Sequence, residues 1–144
     1  MATLEGFLDE LIGVVRAASG IRYAPDDPPS AIATDPAAVV WVTNGRILPG
    51  PWSTKADGSM AVALDYHHSV RVGLLTSMQN IALANQRILP KIETVIEAIH
   101  AARPYANCEN IEEVAFTYGP IQWGDVWYFG AIIDLGDVKI QRTS

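Results

Sequence analysis

The sequence predicts an α+β fold, with a mainly antiparallel sheet and helices packed on one face of it. Two observations support this prediction. Apolar residues recur at helical spacing near the N-terminus and again between Ser77 and Arg103. Between and after these regions, apolar and polar residues alternate as they do in half-buried strands. Runs of strands separated by helices favour an α+β sandwich, and residues 1–144 fit one domain.

Two helical regions are predicted. The first begins after Thr3, whose side chain suits a cap, and Gly20 suits its end. Its apolar residues share one face: Leu4, Leu8, Leu11, Ile12 and Val15. The second region spans Ser77–Arg103 and contains Pro90. The pattern leaves open whether Pro90 kinks one helix or stands near the start of a second.

The region between the helices predicts several strands. Ala37–Val42 is one strand, after which Asn44 and Gly45 predict a hairpin turn. The chain would return through Arg46–Leu48 and then break at a proline-rich stretch. A polar loop is therefore expected over Trp52–Ser59.

The longest strands flank the second helical region. Met60–Leu75 shows the clearest alternation, and its 16 residues exceed the usual strand length, which predicts a bend or an overhang. Ile111–Ile121 and Val126–Leu135 predict a hairpin with a tight turn at Gly124. Val126–Leu135 is apolar on both faces, so both faces should be covered. A neighbouring subunit or burial within a monomer explains that pattern equally well.

Composition and charge exclude some classes of protein and favour others. The net charge of −6 argues against a protein that grips phosphates through clustered Lys and Arg. Charged residues make up 18%, which together with four Trp favours oligomerisation. Cys108 is the single cysteine, so no intrachain disulfide forms and a reducing compartment is expected. We expect neither a membrane span nor a signal peptide, since acidic residues begin at Glu5.

No residue pattern predicts catalysis, a cofactor or a metal. His67 and His68 are adjacent on a strand and so point to opposite faces, which prevents them from chelating one ion together. Cys108 has no flanking signature of a nucleophile. Glu93 and Glu97 have the spacing of a solvated helix face, and no glycine-rich phosphate loop lies between a strand and a helix. We therefore expect a protein that is not an enzyme.

Aromatic residues predict a contact surface. Trp41 lies in a small-residue strand and is expected in the core, whereas Trp52 lies in a Pro/Gly-rich loop and Trp123 at a hairpin end. Aromatic residues at such positions are enriched in protein interfaces. Trp127 and Phe129 belong to the strand with excess apolar surface. The candidate interface residues are thus Trp52, Trp123, Trp127 and Phe129, and Trp123→Ala is expected to impair assembly more than folding.

The element order and three stretches resemble the tail-terminator (tail-completion) proteins of long-tailed bacteriophages. The first stretch is the N-terminal amphipathic helix that ends near Gly20. The second, GIRYAPDDPPSAIATDPAAVVW, places an acidic proline-rich loop before a small-residue strand. The third is FTYGPIQWGDVWYFGAIIDLGDVKI, whose Y-G-P-x-x-W-G turn and two-faced apolar strand look like the closing hairpin of that family. The likeness covers nearly the whole chain.

The resemblance implies a structural virion protein that assembles in the host cytoplasm. Six copies would form a ring on the last ring of the tail tube, end its polymerisation and join it to the neck of the head. The implied partners are the tail tube protein, a head-completion or neck protein, and genome DNA that passes through the lumen without specific binding. No cofactor or membrane is implied. Alternatives are another neck component, such as a head–tail connector or head-closure protein, and a small-molecule-binding or enzymatic α+β domain.

Overall fold

A computed structural model describes residues 2–32, 35–54, 57–77 and 81–143 of the chain. Within these ranges, the side chains at 49–54, 61–63, 81 and 142–143 are not described. The elements in chain order are α1 (Leu4–Ala17), β1 (Ala37–Thr54), β2 (Met60–Ser77), α2 (Ile81–Ala101), β3 (Asn110–Trp123) and β4 (Val126–Thr143). The predicted α+β class is confirmed.

One antiparallel sheet contains all four strands, in the order β1-β2-β4-β3. The two longest pairings join β1 to β2 and β2 to β4. Among the described residues, β1 and β3 are therefore the edge strands. β3 and β4 form a hairpin with a two-residue turn, in which Gly124 has φ 61°. The predicted turn at this position is confirmed.

α1 begins and ends as its sequence predicts, whereas the predicted start of the second helical region is wrong, because Ser77 belongs to β2. Thr3 caps α1, because its hydroxyl accepts a hydrogen bond from the Gly6 amide at 3.0 Å. Gly20, with φ 87°, follows the end of this helix. α2 is a single helix that contains Pro90, which decides the question that the sequence left open. The Thr94 hydroxyl donates to the Pro90 carbonyl at 2.9 Å.

Buried side chains of both helices share one core with alternate residues of the two central strands. Val72 of β2 pairs with Ile133 of β4, and Leu74 pairs with Ala131. All four side chains are fully buried. The helices contribute large side chains to the same cluster: Phe7, Leu11, Val15, Ile88, Ile92 and Ile99. This cluster covers the middle of the sheet and leaves the ends of the longest strands beyond it.

A bulge changes which residues of β4 face the core. The pairing of β2 with β4 shifts between His68 and Val70, and β4 contributes one more residue than β2 at this point. Asp137 lies in the shifted segment with φ 51°. Because the extra residue reverses the alternation, Val138 joins the same core as Leu135.

Two predictions about β1 are wrong. Asn44 and Gly45 do not form a hairpin turn, because β1 continues through them and pairs with β2. A register shift between Val42 and Asn44 accommodates them inside the strand. The predicted loop from Trp52 is also strand as far as Thr54. Pairing with the long, regularly alternating β2 supplies ladder hydrogen bonds, and these outweigh the local turn preference.

Candidate assembly interface

Three large aromatic side chains are exposed on the β3–β4 hairpin. Phe116 is 49% exposed, Tyr118 60% and Trp127 54%. We call these three residues the hairpin patch. Single exposed apolar residues are ordinary, but a group of aromatic residues on one element marks an interaction site. The hairpin patch is therefore the candidate interface.

Strand register places the hairpin patch on the core-facing side of the hairpin. Phe116 pairs with Ile133, and Tyr118 pairs with Ala131. Residues directly opposite in an antiparallel pair share a face, and both partners here are fully buried. Trp127 lies in the same alternating row of β4 as these partners. The hairpin patch thus lies on the same face of the sheet as the core, in the part of that face that the chain itself leaves exposed.

Phe129 requires a correction. It is only 7% exposed and belongs to the core cluster, so its side chain is not available to a partner. Its neighbour two residues away, Trp127, occupies the same row and is exposed. The alternation of β4 identifies this row, but the extent of the core along the row depends on tertiary packing. Phe116 and Tyr118 were not among the predicted interface residues for the same reason. Their alternation shows that they share one face of β3, but it does not show whether the core or a partner covers that face.

Trp123 makes its described contacts within its own subunit. Its indole N–H donates to the Pro29 carbonyl at 2.8 Å. Its ring meets that of Trp41 edge-on, with centroids 5.5 Å apart and planes inclined by 62°. These contacts reverse the expected effect of Trp123→Ala, which should now reduce stability first. The assignment of Trp123 to an interface stays a prediction.

The two other tryptophans lie in β1. Trp41 was expected in the core but is only partly buried, and it packs beside Gly73 and Trp123. Trp52 pairs with Val62 along the β1–β2 ladder. Its side chain lies outside the described residues, so its place in an interface stays a prediction.

Two further apolar side chains are exposed on β1, the opposite edge strand. Ile47 and Leu48 are exposed where β1 and β2 run beyond the core. They pair with Tyr66 and Asp65 of β2, respectively. Because adjacent residues of a strand point to opposite faces, only Ile47, opposite Tyr66, lies on the face of the sheet that carries the hairpin patch.

Two adjacent histidines of β2, His67 and His68, lie beside the bulge of β4. Among the described residues, no group of three or more His, Cys, Asp or Glu is arranged to hold a metal ion. Burial, and then the neighbouring His67, lower the pKa of His68. The His67 Nδ1 atom is buried without a hydrogen-bond partner and lies 3.9 Å from an oxygen of Asp137.

The thiol of Cys108 is in a setting that keeps it protonated. Its side chain is buried and donates to the Asn110 carbonyl at 3.2 Å. Burial raises the pKa of this thiol. Since the thiolate is the nucleophilic form, the site disfavours nucleophilic chemistry at Cys108.

Comparison with known proteins gives the chain no family. A scan against models of protein families found no match, and a search of curated protein sequences also found none. Within the described residues, neither helix is long and apolar enough to cross a membrane.

Proposed function

We propose that this protein is a structural virion protein of a long-tailed bacteriophage. It forms a six-membered ring that caps the tail tube, ends tube polymerisation and joins the tube to the head. The observation that carries this proposal is the exposed hairpin patch, which extends the core face of the sheet into solvent. The closing hairpin resembles that of tail terminators, and from this resemblance we infer that the hairpin patch is a contact between subunits of the ring.

Ring formation needs two different surfaces on each subunit, because a cyclic contact is head-to-tail. In the proposed ring, the helices cover one face of the sheet and leave both edge strands for neighbours. The hairpin patch of one subunit packs against the exposed Ile47 on β1 of the next. The hairpin patch and Ile47 lie at opposite edges of the sheet and so belong to two different surfaces.

The size of the hairpin patch suits a contact that is weak alone. Burying the exposed half of three aromatic side chains removes roughly 300 Å² of apolar surface from water. That burial is worth about 7 kcal/mol before the cost of association is subtracted. A single contact would therefore be marginal. Ring closure adds a last contact without a further loss of translational freedom, which makes assembly cooperative.

The charge of the protein agrees with a channel for DNA. The net charge is −6, and exposed Glu112 and Glu113 lie near the start of β3. Like charge disfavours adsorption of the phosphate backbone. In the proposed ring, the lumen is lined by acidic or neutral groups, so genome DNA passes without binding.

Disruption of the gene in the phage that encodes this protein tests the proposal. Electron microscopy of the lysate should show tail tubes of uncontrolled length and heads without tails. Wild-type protein should restore joined particles, whereas the double variant Phe116→Ser, Trp127→Ser should not. Leu89→Ser is the matched control, because it removes an exposed apolar side chain on α2, outside the patch. Normal tails without the protein, or a stable monomer that binds a metabolite, would overturn the proposal.

A further inference from the structure

Three cationic side chains line one surface pocket away from the hairpin patch. Arg22 follows α1, and Arg87 and Lys91 lie one helical turn apart on α2. Gly20, Asp35 and Pro36 complete the wall of this pocket, which holds about 390 Å³. The pocket therefore collects three positive charges in a protein whose net charge is −6.

Arg22, Arg87 and Lys91 have no anionic partner among the described residues, whereas most of the other described Lys and Arg residues have one. Ion pairs neutralise the rest apart from Arg103, which donates to the Ile111 carbonyl: Arg16 pairs with Asp26, Arg46 with Asp137, Arg71 with Asp134, and Lys139 with Asp65 and Glu109. Among the described residues, the side chains of Arg22 and Arg87 have no hydrogen-bond or ion-pair partner. The Lys91 ammonium donates only to the Arg87 carbonyl, at 3.0 Å. Three of the four described cations without a counter-charge thus line one pocket.

The single carboxylate in the pocket wall is engaged elsewhere. One oxygen of Asp35 accepts hydrogen bonds from the Ser77 amide at 2.7 Å and from the Thr76 hydroxyl at 3.3 Å. These bonds hold Asp35 at the end of β2. Counting Asp35 with the three cations leaves the pocket with two net positive charges.

Lys91 is held in place among like charges. Its aliphatic chain lies against Gly20, because a Cβ atom there would be 3.2 Å from the Lys91 Cε atom. Burial, and then repulsion from Arg87 and Arg22, lower the pKa of the Lys91 ammonium. A bound anion would relieve this repulsion.

We propose that the pocket formed by Arg22, Arg87 and Lys91 binds a phosphate group. Two guanidinium groups offer paired N–H donors that match phosphate oxygens, and an ammonium adds a point charge. The two net positive charges of the pocket match the charge of a phosphate dianion. This site lies outside the hairpin patch, and it does not depend on the proposed ring.

Titration with inorganic phosphate, followed by NMR of the Lys91 side chain and the surrounding amides, tests this site. Phosphate should shift these signals saturably and raise the measured pKa of Lys91. Arg87→Gln should weaken phosphate binding about tenfold or more, since it removes a charge-assisted hydrogen bond. Arg46→Gln is the matched control, because it removes the same charge outside the pocket. No saturable shift, or equal phosphate affinities of the two variants, would contradict the proposal.

A second experiment distinguishes whether the bound phosphate group belongs to nucleic acid or to a small phosphorylated compound. A short DNA duplex is added to the wild-type protein with and without competing phosphate. If nucleic acid is the source, DNA shifts the same signals at lower concentration than phosphate does, and phosphate displaces it. If small phosphorylated compounds are the source, phosphate saturates the pocket and DNA leaves the signals unchanged. Binding of DNA that is unaffected by Arg87→Gln would contradict a phosphate site in this pocket.

Discussion

Trp41 and Trp123 contact each other edge-on, although they belong to the two edge strands of the sheet. The edge strands of a flat four-stranded sheet would lie about 14 Å apart. The two rings therefore lean towards each other across the central strands on one face of the sheet. Gly73 permits this arrangement, because a Cβ atom there would lie 2.9 Å from the ring of Trp41. The contact anchors the hairpin, so the hairpin patch is presented on a fixed element.

Trp123 and Trp127 should respond differently to truncation, although both lie near the same turn. Trp123→Ala removes the ring contact with Trp41 and the hydrogen bond to Pro29, and should lower the free energy of unfolding by about 2–4 kcal/mol. Trp127→Ala removes an exposed ring and should change it by less than about 0.5 kcal/mol. Urea unfolding measures both values at concentrations where the protein is monomeric. Equal losses would refute the intramolecular role of Trp123.

Substitution of two glycines by alanine should change the free energy of unfolding in opposite directions. A Cβ atom at Gly130 would collide with the Leu74 carbonyl oxygen of the neighbouring strand, so Gly130→Ala should destabilise the fold by about 1–3 kcal/mol. Gly13 lies inside α1 with open space around it, so Gly13→Ala should stabilise by about 0.5–1 kcal/mol. Thermal unfolding of the two variants measures both effects. A stable Gly130→Ala protein would show that β2 and β4 do not approach so closely.

The bulge at Asp137 should tolerate glycine better than valine. Its φ of 51° is accessible to Gly, Asn and Asp but strained for a β-branched residue. Asp137→Val should therefore cost about 1–3 kcal/mol more than Asp137→Gly. Both variants lose the exposed ion pair with Arg46, so their difference isolates the backbone. Equal melting temperatures would contradict the bulge geometry.

Tyr105 should make stability depend on alkaline pH. Burial raises the pKa of its phenol from 10.0 to about 12. The phenol donates to the Ile99 carbonyl at 2.7 Å, which requires the protonated form. Because the folded pKa is the higher one, this contribution is complete below about pH 10 and is lost as the pH approaches 12.

The pH dependence is measured by urea unfolding of the wild-type protein and Tyr105→Phe between neutral pH and pH 11. The variant should be less stable by about 1 kcal/mol at neutral pH, and the difference should shrink above pH 10. A difference that is constant over this range would show that the phenol titrates normally in the folded protein.

The sequence predicted those parts of the fold that depend on local periodicity. The Thr3 cap, the long strand from Met60 and the turn at Gly124 follow from neighbouring residues alone. The turn predicted at Asn44 was wrong because the partner strand decides whether a turn-forming pair ends a strand. Likewise, nothing near Asp137 in the sequence indicates a bulge, since it arises from the register between β2 and β4.

The candidate interface could be predicted only as a row of residues. Alternation assigns Trp127 and Phe129 to one side of β4, but the core ends between them, so one is exposed and the other is buried. The pocket of Arg22, Arg87 and Lys91 brings Arg22 together with two residues that lie 65 or more positions later in the sequence. No local motif marks this pocket. What identifies the pocket is that its cations lack ion-pair partners, and this can be recognised only from the three-dimensional structure.

We propose that six subunits form a ring through the hairpin patch. Native mass spectrometry of the wild-type protein, at concentrations up to its solubility limit and with isolated tail tubes present, tests this claim most directly. We predict a free species of six times the 15.6 kDa subunit mass, or an addition of this mass to the tube. The double variant Phe116→Ser, Trp127→Ser should lose this species, and Leu89→Ser should keep it. A protein that stays monomeric under all of these conditions, or a hexamer unaffected by the double variant, would contradict the claim.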